Sequence, residues 1–228
     1  MVHNNRSIFI DFEMQPVDRS AHPVAWGKAR HEILEIGAVM LDQDGKEVDS
    51  FQCYVKPEYS TKIQETVEAM TGITAETVAD AEHFAPAFTR FLDWCNSPGL
   101  PYTVYAWSGA DRGQLIHELN LKEWPRDERT SYLLSHWKDF QKLFTRKIGR
   151  TKAVSLEKAV TACGLVFDGQ MHDALWDARN TAHIYRLTLT EQFDKMIPTI
   201  QKDLGTQEHF GASLGDMVDL SGFTLPKD

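Results

Sequence analysis

ILEIGAVML at 33–41, DQDGK at 42–46 and EVDSFQCYV at 47–55 decide the fold when read together. Two apolar-rich runs of strand length flank a short segment of aspartates and glycine, a pattern that predicts an antiparallel β-hairpin. Upstream, residues 7–12 of SIFIDFEMQ (7–15) add a third strand. Residues 15–31, with two prolines and mixed polar side chains, predict a long loop beside the end of that strand, placed to close over a ligand.

Downstream, Phe84, Phe88, Phe91, Leu92 and Cys95 recur at helical spacing and predict an amphipathic helix over 82–96, with Pro86 tolerated in its first turn. TVYAW (103–107) reads as a short buried strand, and a helix opening at Asp111 carries Leu115, Ile116 and Leu119. SLEKAVTACG (155–164) begins as a capped helix, Ser155 with Lys158 where Glu or Gln is usual, and stops at a glycine. HDALWDARNTAHIYRLTLTEQF predicts a last helix over 172–193. The order β-β-β-α-β-α implies an α/β fold with a mixed sheet flanked by helices. Residues 1–203 are read as one domain, and the glycine-rich, weakly periodic 204–228 as a loosely structured or surface-wrapping tail.

Composition narrows the function. The 228 residues are 42% hydrophobic and 25% charged, ordinary for a globular protein, and no run approaches the ~20 apolar residues of a membrane span. No cleavable signal pattern opens the chain, so a cytoplasmic location is the default. Three widely spaced cysteines without a CxxC pair read as reduced core residues. A net charge of −9 argues against coating nucleic acid by bulk electrostatics, though not against gripping one strand end through metal ions.

Asp11 and Glu13 are the anomaly. Residues i and i+2 of a strand share a face, so two like charges project together and repel unless something positive lies between them. Asp111 follows the TVYAW strand, and His172 and Asp177 open the last helix. Each of these three has a plain structural alternative: a helix N-cap for Asp111, a helix-start histidine and a solvated acid for the others. Carboxylates converging from separate elements at one sheet end suit a hard divalent ion, since Mg²⁺ and Mn²⁺ take oxygen ligands. Two ions about 3.5–4 Å apart can clamp the attacking and leaving oxygens of a phosphodiester displacement, and a histidine beside the water can accept its proton.

IDFE (10–13), YAWSGAD (105–111) with Leu115, and HDALWDA (172–178) together resemble the DEDDh 3′-to-5′ exonucleases of the ribonuclease-H-like fold. HEILEIGAVML, FQCYVKP and MTGIT (70–74) resemble the branch containing the histone-mRNA 3′ exonuclease and Eri-type RNA-trimming enzymes; the likeness covers about residues 7–190. The resemblance implies that Asp11, Glu13, Asp111 and Asp177 bind two divalent metal ions, Mg or Mn, with His172 as general base. It implies release of nucleoside 5′-monophosphates from single-stranded 3′ ends, RNA in preference to DNA. It places Met14, Thr71 and Ile73 around the terminal nucleotide, although Met14 and Ile73 also suit a core and Thr71 a turn.

Two further features have two readings each. The cations of 138–152 (Lys138, Lys142, Arg146, Lys147, Arg150, Lys152) suit a phosphate-tracking edge or a solvated strand and loop. Trp107 could stack a base or close a core strand. Asp173 reads as a helix-start residue, and Asn180 is left open. The competing functions are a DNA-directed or dual-specificity exonuclease, a non-catalytic nucleic-acid-binding domain on the same fold, and an HD-type nucleotide phosphohydrolase, the last requiring an all-helical chain.

Overall fold

In the computed structural model, which describes residues 5–60, 62–97 and 99–216 with side chains through 205, the 33–55 unit folds as a hairpin. The chain opens with β1 (Arg6–Pro16), the short helix α1 (Pro23–Lys28) and the hairpin strands β2 (His31–Leu41) and β3 (Glu47–Lys56). Next come α2 (Glu65–Thr71), α3 (Ala75–Ala79), β4 (Glu82–His83), α4 (Phe84–Asn96), β5 (Tyr102–Ala106) and α5 (Gly109–Leu121). The remainder is α6 (Glu128–Ser135), β6 (Trp137–Asp139), α7 (Phe140–Lys147), α8 (Leu156–Ala162), α9 (Ala174–Thr188) and α10 (Glu191–Asp216).

The six strands lie in the order β4-β3-β2-β1-β5-β6. β2 pairs antiparallel with β1 and β3, while β5 runs parallel to β1 and to β6, so the sheet is mixed. Alternation along β1 sorts its side chains. Ile8, Ile10 and Phe12 enter the main core with Phe84, Phe88, Phe91 and Leu92 of α4, whereas Phe9 packs with Val39, Leu41, Ala178 and Ala182 beneath α9. A further core, built from α7, α8 and α10, receives Trp107, whose indole N–H donates to the Val154 carbonyl (3.0 Å). Trp107 is thus a core residue. The three cysteines are buried and free, and no described helix is long and apolar enough to cross a membrane. Six paired strands also exclude the all-helical phosphohydrolase.

The structure corrects several expectations. β1 continues to Pro16, because Gln15 is buried and its amide bonds the Lys62 carbonyl and the Gln64 N–H. The expected loop over 15–31 is therefore shorter, and Ala25 of α1 with Ala29 just after it packs the segment against Val17 and Leu121. The last helix begins at Ala174, since Asp173 N-caps it by accepting from the Leu175 and Trp176 N–H groups, and it ends at Thr188. Thr190 then starts α10 by accepting from the Phe193 N–H (3.3 Å). α10 runs on to Asp216, with Phe193, Ile200 and Leu204 of its earlier part buried in the core. Residues 217–228 lie outside the described residues. The cations of 138–152 belong mainly to β6 and α7: Lys142 pairs with Asp139 (2.9 Å), and Lys147 bonds the Thr188 carbonyl (2.7 Å).

Candidate active site

Asp11 and Glu13 share a face of β1 with Phe9, so they emerge from beneath α9 toward the carboxyl end of the strand. Glu13 is buried and Asp11 half-buried. Parallel pairing carries the end of β5 alongside, and α5 starts there with Ser108 as N-cap. Asp111 is therefore not the cap but a first-turn residue turned inward, only 5% exposed, and the Phe12 backbone N–H donates to its carboxylate. A buried polar seam fixes α5 against β2. Glu118 accepts from the Ile33 N–H (3.2 Å) and the Gln114 amide (3.1 Å), and Lys122 bridges to Glu32 at 2.7 Å.

Asp177 comes from the first turn of α9, and two devices bring that helix end onto the sheet. Gly37, the partner of Asp11 in the β1–β2 register, leaves room for the α9 backbone to lie directly on β2. Glu35, the partner of Glu13 and itself buried, accepts from the Ala174 N–H (3.2 Å) and from the Gln52 amide (2.6 Å). The Gln52 amide also lies 3.4 Å from the Asp173 carboxylate.

His172 sits just before the helix in a left-handed conformation (φ 61°), uncommon for a side-chain-bearing residue. Its N–H donates to the Asp177 carboxylate. The loop before it is clamped by Asn180, which accepts from the Asp168 N–H (2.9 Å) and donates to the Asp168 and Trp176 carbonyls (both 2.8 Å). Gly169 lies so close to the Trp176 ring that a side chain would overlap it. Asn180→Ala leaves the Asp168 N–H and carbonyl without their side-chain partner, so amide hydrogen exchange over residues 168–172 should speed up by about tenfold. Exchange at the wild-type rate would show that Asn180 does not hold the loop before His172.

The electrostatics show the convergence. Burial, then repulsion from Asp177, Glu35 and Asp111, pushes Glu13 up to about 8. Burial is likewise the main cause raising Asp111 and Asp177 to about 7, and the hydrogen bonds that oppose the rise come from backbone N–H groups. Asp11 lies well above the usual carboxylate range, from burial and then from Asp111, Asp177 and Glu13. Burial also lifts Glu35 to about 6.

Such a set fits a hard divalent cation. Donor atoms of Glu13, His172 and Asp177 all lie within 4.8 Å of one another, and the buried Asp177 Oδ1 has no hydrogen-bond partner. Asp11 and Asp111 stand outside that tight triplet and join it through the mutual repulsion.

Beside Glu13 a cavity of about 550 Å³ is lined by Met14, His31, Met70, Gln114 and His117 among others. Met14 is thus on the wall, but Thr71 and Ile73 are occupied elsewhere. The Thr71 hydroxyl donates to the Val67 carbonyl (2.9 Å) and accepts from the Ile73 N–H (3.0 Å), and Ile73 packs with Leu34, Val67 and Val78. Their neighbour Met70, 47% exposed, faces the cavity instead. Sequence reading missed Glu35, Gly37, Gln52 and Met70; a glycine inside a strand, the usual mark of close backbone approach, was the one available signal.

A model of the exonuclease family matches residues 8–185. The chain belongs to that family. It is 30% identical over 162 residues to human 3′-5′ exoribonuclease 1, covering 68% of this chain and 45% of the relative. The rat protein of the same name is 27% identical over 167 residues, covering 68% and 46%. The chain thus spans about half the length of these curated relatives. The nuclease domain of 3′hExo, a DEDDh family member solved with rAMP, superposes with a TM-score of 0.70 at 22% identity, over 82% of this chain and 93% of that one. The ribonuclease-H-like exonuclease fold expected from the motifs is therefore the fold of this family member.

Proposed function

We propose that this chain is a divalent-metal-dependent 3′-to-5′ exonuclease that releases nucleoside 5′-monophosphates from single-stranded 3′ ends, RNA in preference to DNA. The observation that carries the reading is the convergence of Asp11, Glu13, Asp111 and Asp177 at one sheet end, with His172 beside Glu13 and Asp177. The names of the curated relatives support the preference for RNA.

In this reading the four acids hold two ions, which when bound supply Lewis acidity and a water of lowered pKa. The His172 imidazole accepts the attacking water's proton at a ring nitrogen and, being exposed, passes it to solvent. Glu35, Gln52 and Asn180 hold α9 and the His172 loop in register. The wall of Met14 and Met70 takes the terminal nucleoside, whose scissile phosphate then lies toward Glu13.

Matched RNA and DNA oligomers, single- and double-stranded, incubated with Mg²⁺ or Mn²⁺ test the reading. Stepwise shortening of single-stranded RNA with 5′-monophosphate products is expected, and Asp11→Ala should lower the rate by at least about a thousandfold. Equal degradation by both proteins would reject the metal site. A 3′ end bound in Mg²⁺ without any shortening would make the chain a binding domain.

A further inference from the structure

We propose that Arg19, Trp26 and Arg30 form a second nucleic-acid contact, a pair of guanidinium groups that grip the phosphodiesters adjoining the terminal nucleotide as the strand leaves the cleft. The proposal rests on the exonuclease reading and extends it to the path of the substrate. The Arg19 and Arg30 guanidinium carbons lie 4.4 and 3.3 Å from the centroid of the Trp26 ring. Stacking on an indole orients a guanidinium and leaves its N–H edge free for an anion.

Neither guanidinium pairs with a carboxylate among the described residues. That is unusual in a chain with 33 acidic against 24 basic side chains, where nearby Lys28 pairs with Glu123 (2.8 Å) and Arg179 with Glu47 (2.8 Å). Arg30 spends one N–H on the Trp26 carbonyl, which leaves enough donors for a bidentate contact. Both arginines are exposed.

The position of this pair is fixed by the same framework that builds the site. The Arg30 carbonyl accepts from the Val17 N–H (2.9 Å), His31 pairs with Pro16 on β1, and the His31 carbonyl accepts from the Gln114 amide (2.9 Å). His31 and Gln114 line the cavity beside Glu13. Pro16 is three residues beyond Glu13, about 10 Å along a strand, and Arg30 directly precedes His31 of the cavity wall. A net charge of −9 repels a polyanion at long range, and two arginines unpaired with carboxylates, held on the segment that leads into the cavity wall, are a local means of overcoming it.

The test compares a fluorescent octauridylate with the p-nitrophenyl ester of thymidine 5′-monophosphate, which carries only the scissile phosphodiester. For the Arg19→Ala/Arg30→Ala double variant, kcat/KM on the octamer should fall about tenfold further than on the ester. The slope of log(kcat/KM) against log salt should become shallower by about 0.7 for each contact removed. Arg30→Lys, which keeps charge but not the bidentate edge, should retain the salt slope while losing affinity. Equal losses on the two substrates, or an unchanged salt slope, would overturn the proposal. If the wild-type protein hydrolyses neither substrate, the exonuclease reading falls by itself. The arginine pair is then judged by fluorescence anisotropy of the octamer, where unchanged affinity of the double variant refutes it.

Discussion

Gly37→Ala is expected to destabilise the protein by at least about 3 kcal/mol, the upper end of overpacking penalties, and to lower Tm by roughly 10 °C. A Cβ at position 37 would overlap the backbone of Ala174 and Leu175 and stand 2.5 Å from the Ala174 carbonyl oxygen. The obstruction is backbone on both sides, so no rotamer change relieves it; either α9 lifts from β2 or the strand bends. Lifting α9 breaks the Ala174 N–H bond to Glu35 and carries Asp177 and His172 away from Asp11 and Glu13. Activity should therefore fall by more than the unfolded fraction explains. Thermal melts followed by circular dichroism, with nuclease rates taken 20 °C below the variant's own Tm, separate the two losses. A variant that melts within 2 °C of wild type and cleaves normally would show that the close approach does not set the site.

The same contact explains why the sequence discloses some parts of this site and hides others. Alternation and turn chemistry are local, so the hairpin, β5 and α4 were legible, and so was the shared face of Asp11 and Glu13. Asp111 and Asp177 could be connected to that pair only through motif resemblance, because nothing local states that α5 and α9 end at the same sheet edge. Their placement depends on long-range devices: Gly37 beneath a helix, Glu35 accepting from that helix, and Gln114 and Glu118 bonding across to β2. Buried polar residues on α5 also weaken the apolar periodicity from which helices are read. Thr71 and Ile73 are a different case. The MTGIT motif marks where the chain passes the site, but its turn and packing absorb those two side chains and leave Met70 exposed. The end of β1 was misjudged for a related reason, since Gln15 looks like a loop residue until its amide bonds Lys62 and Gln64.

Without divalent metal, stability is expected to fall as pH rises from about 4 to about 8, and saturating Mg²⁺ or Mn²⁺ should abolish most of that fall. Glu13, Asp111 and Asp177 are pushed up to about 8, 7 and 7, and Asp11 is raised as well. The unfolded chain releases these protons near pH 4, so between pH 4 and 8 the native state binds more protons than the unfolded state. The slope of unfolding free energy with pH is then negative. The penalty sets in near pH 4, where the unfolded carboxyls ionise, and grows through pH 7 and 8 as Asp111, Asp177 and Glu13 are forced to ionise in the native state. Glu13, 6% exposed, contributes up to about 1.4 kcal/mol for each pH unit over which the native state keeps it protonated while the unfolded chain ionises it. The four acids repel one another, so their contributions do not simply add. A cation binds the ionised carboxylates of the native state, and its stabilisation must therefore grow with pH over the same window. Melting curves in chelator at pH 5, 6.5 and 8 should show Tm dropping by roughly 10 °C, and the curves with metal should converge. Asp111→Asn removes one member of the cluster, so in chelator at pH 8 it should melt above wild type while losing the gain from metal. A chelated protein with the same Tm at pH 5 and pH 8 would mean that water or rearrangement relieves the repulsion, and that the acids are not held poised for metal.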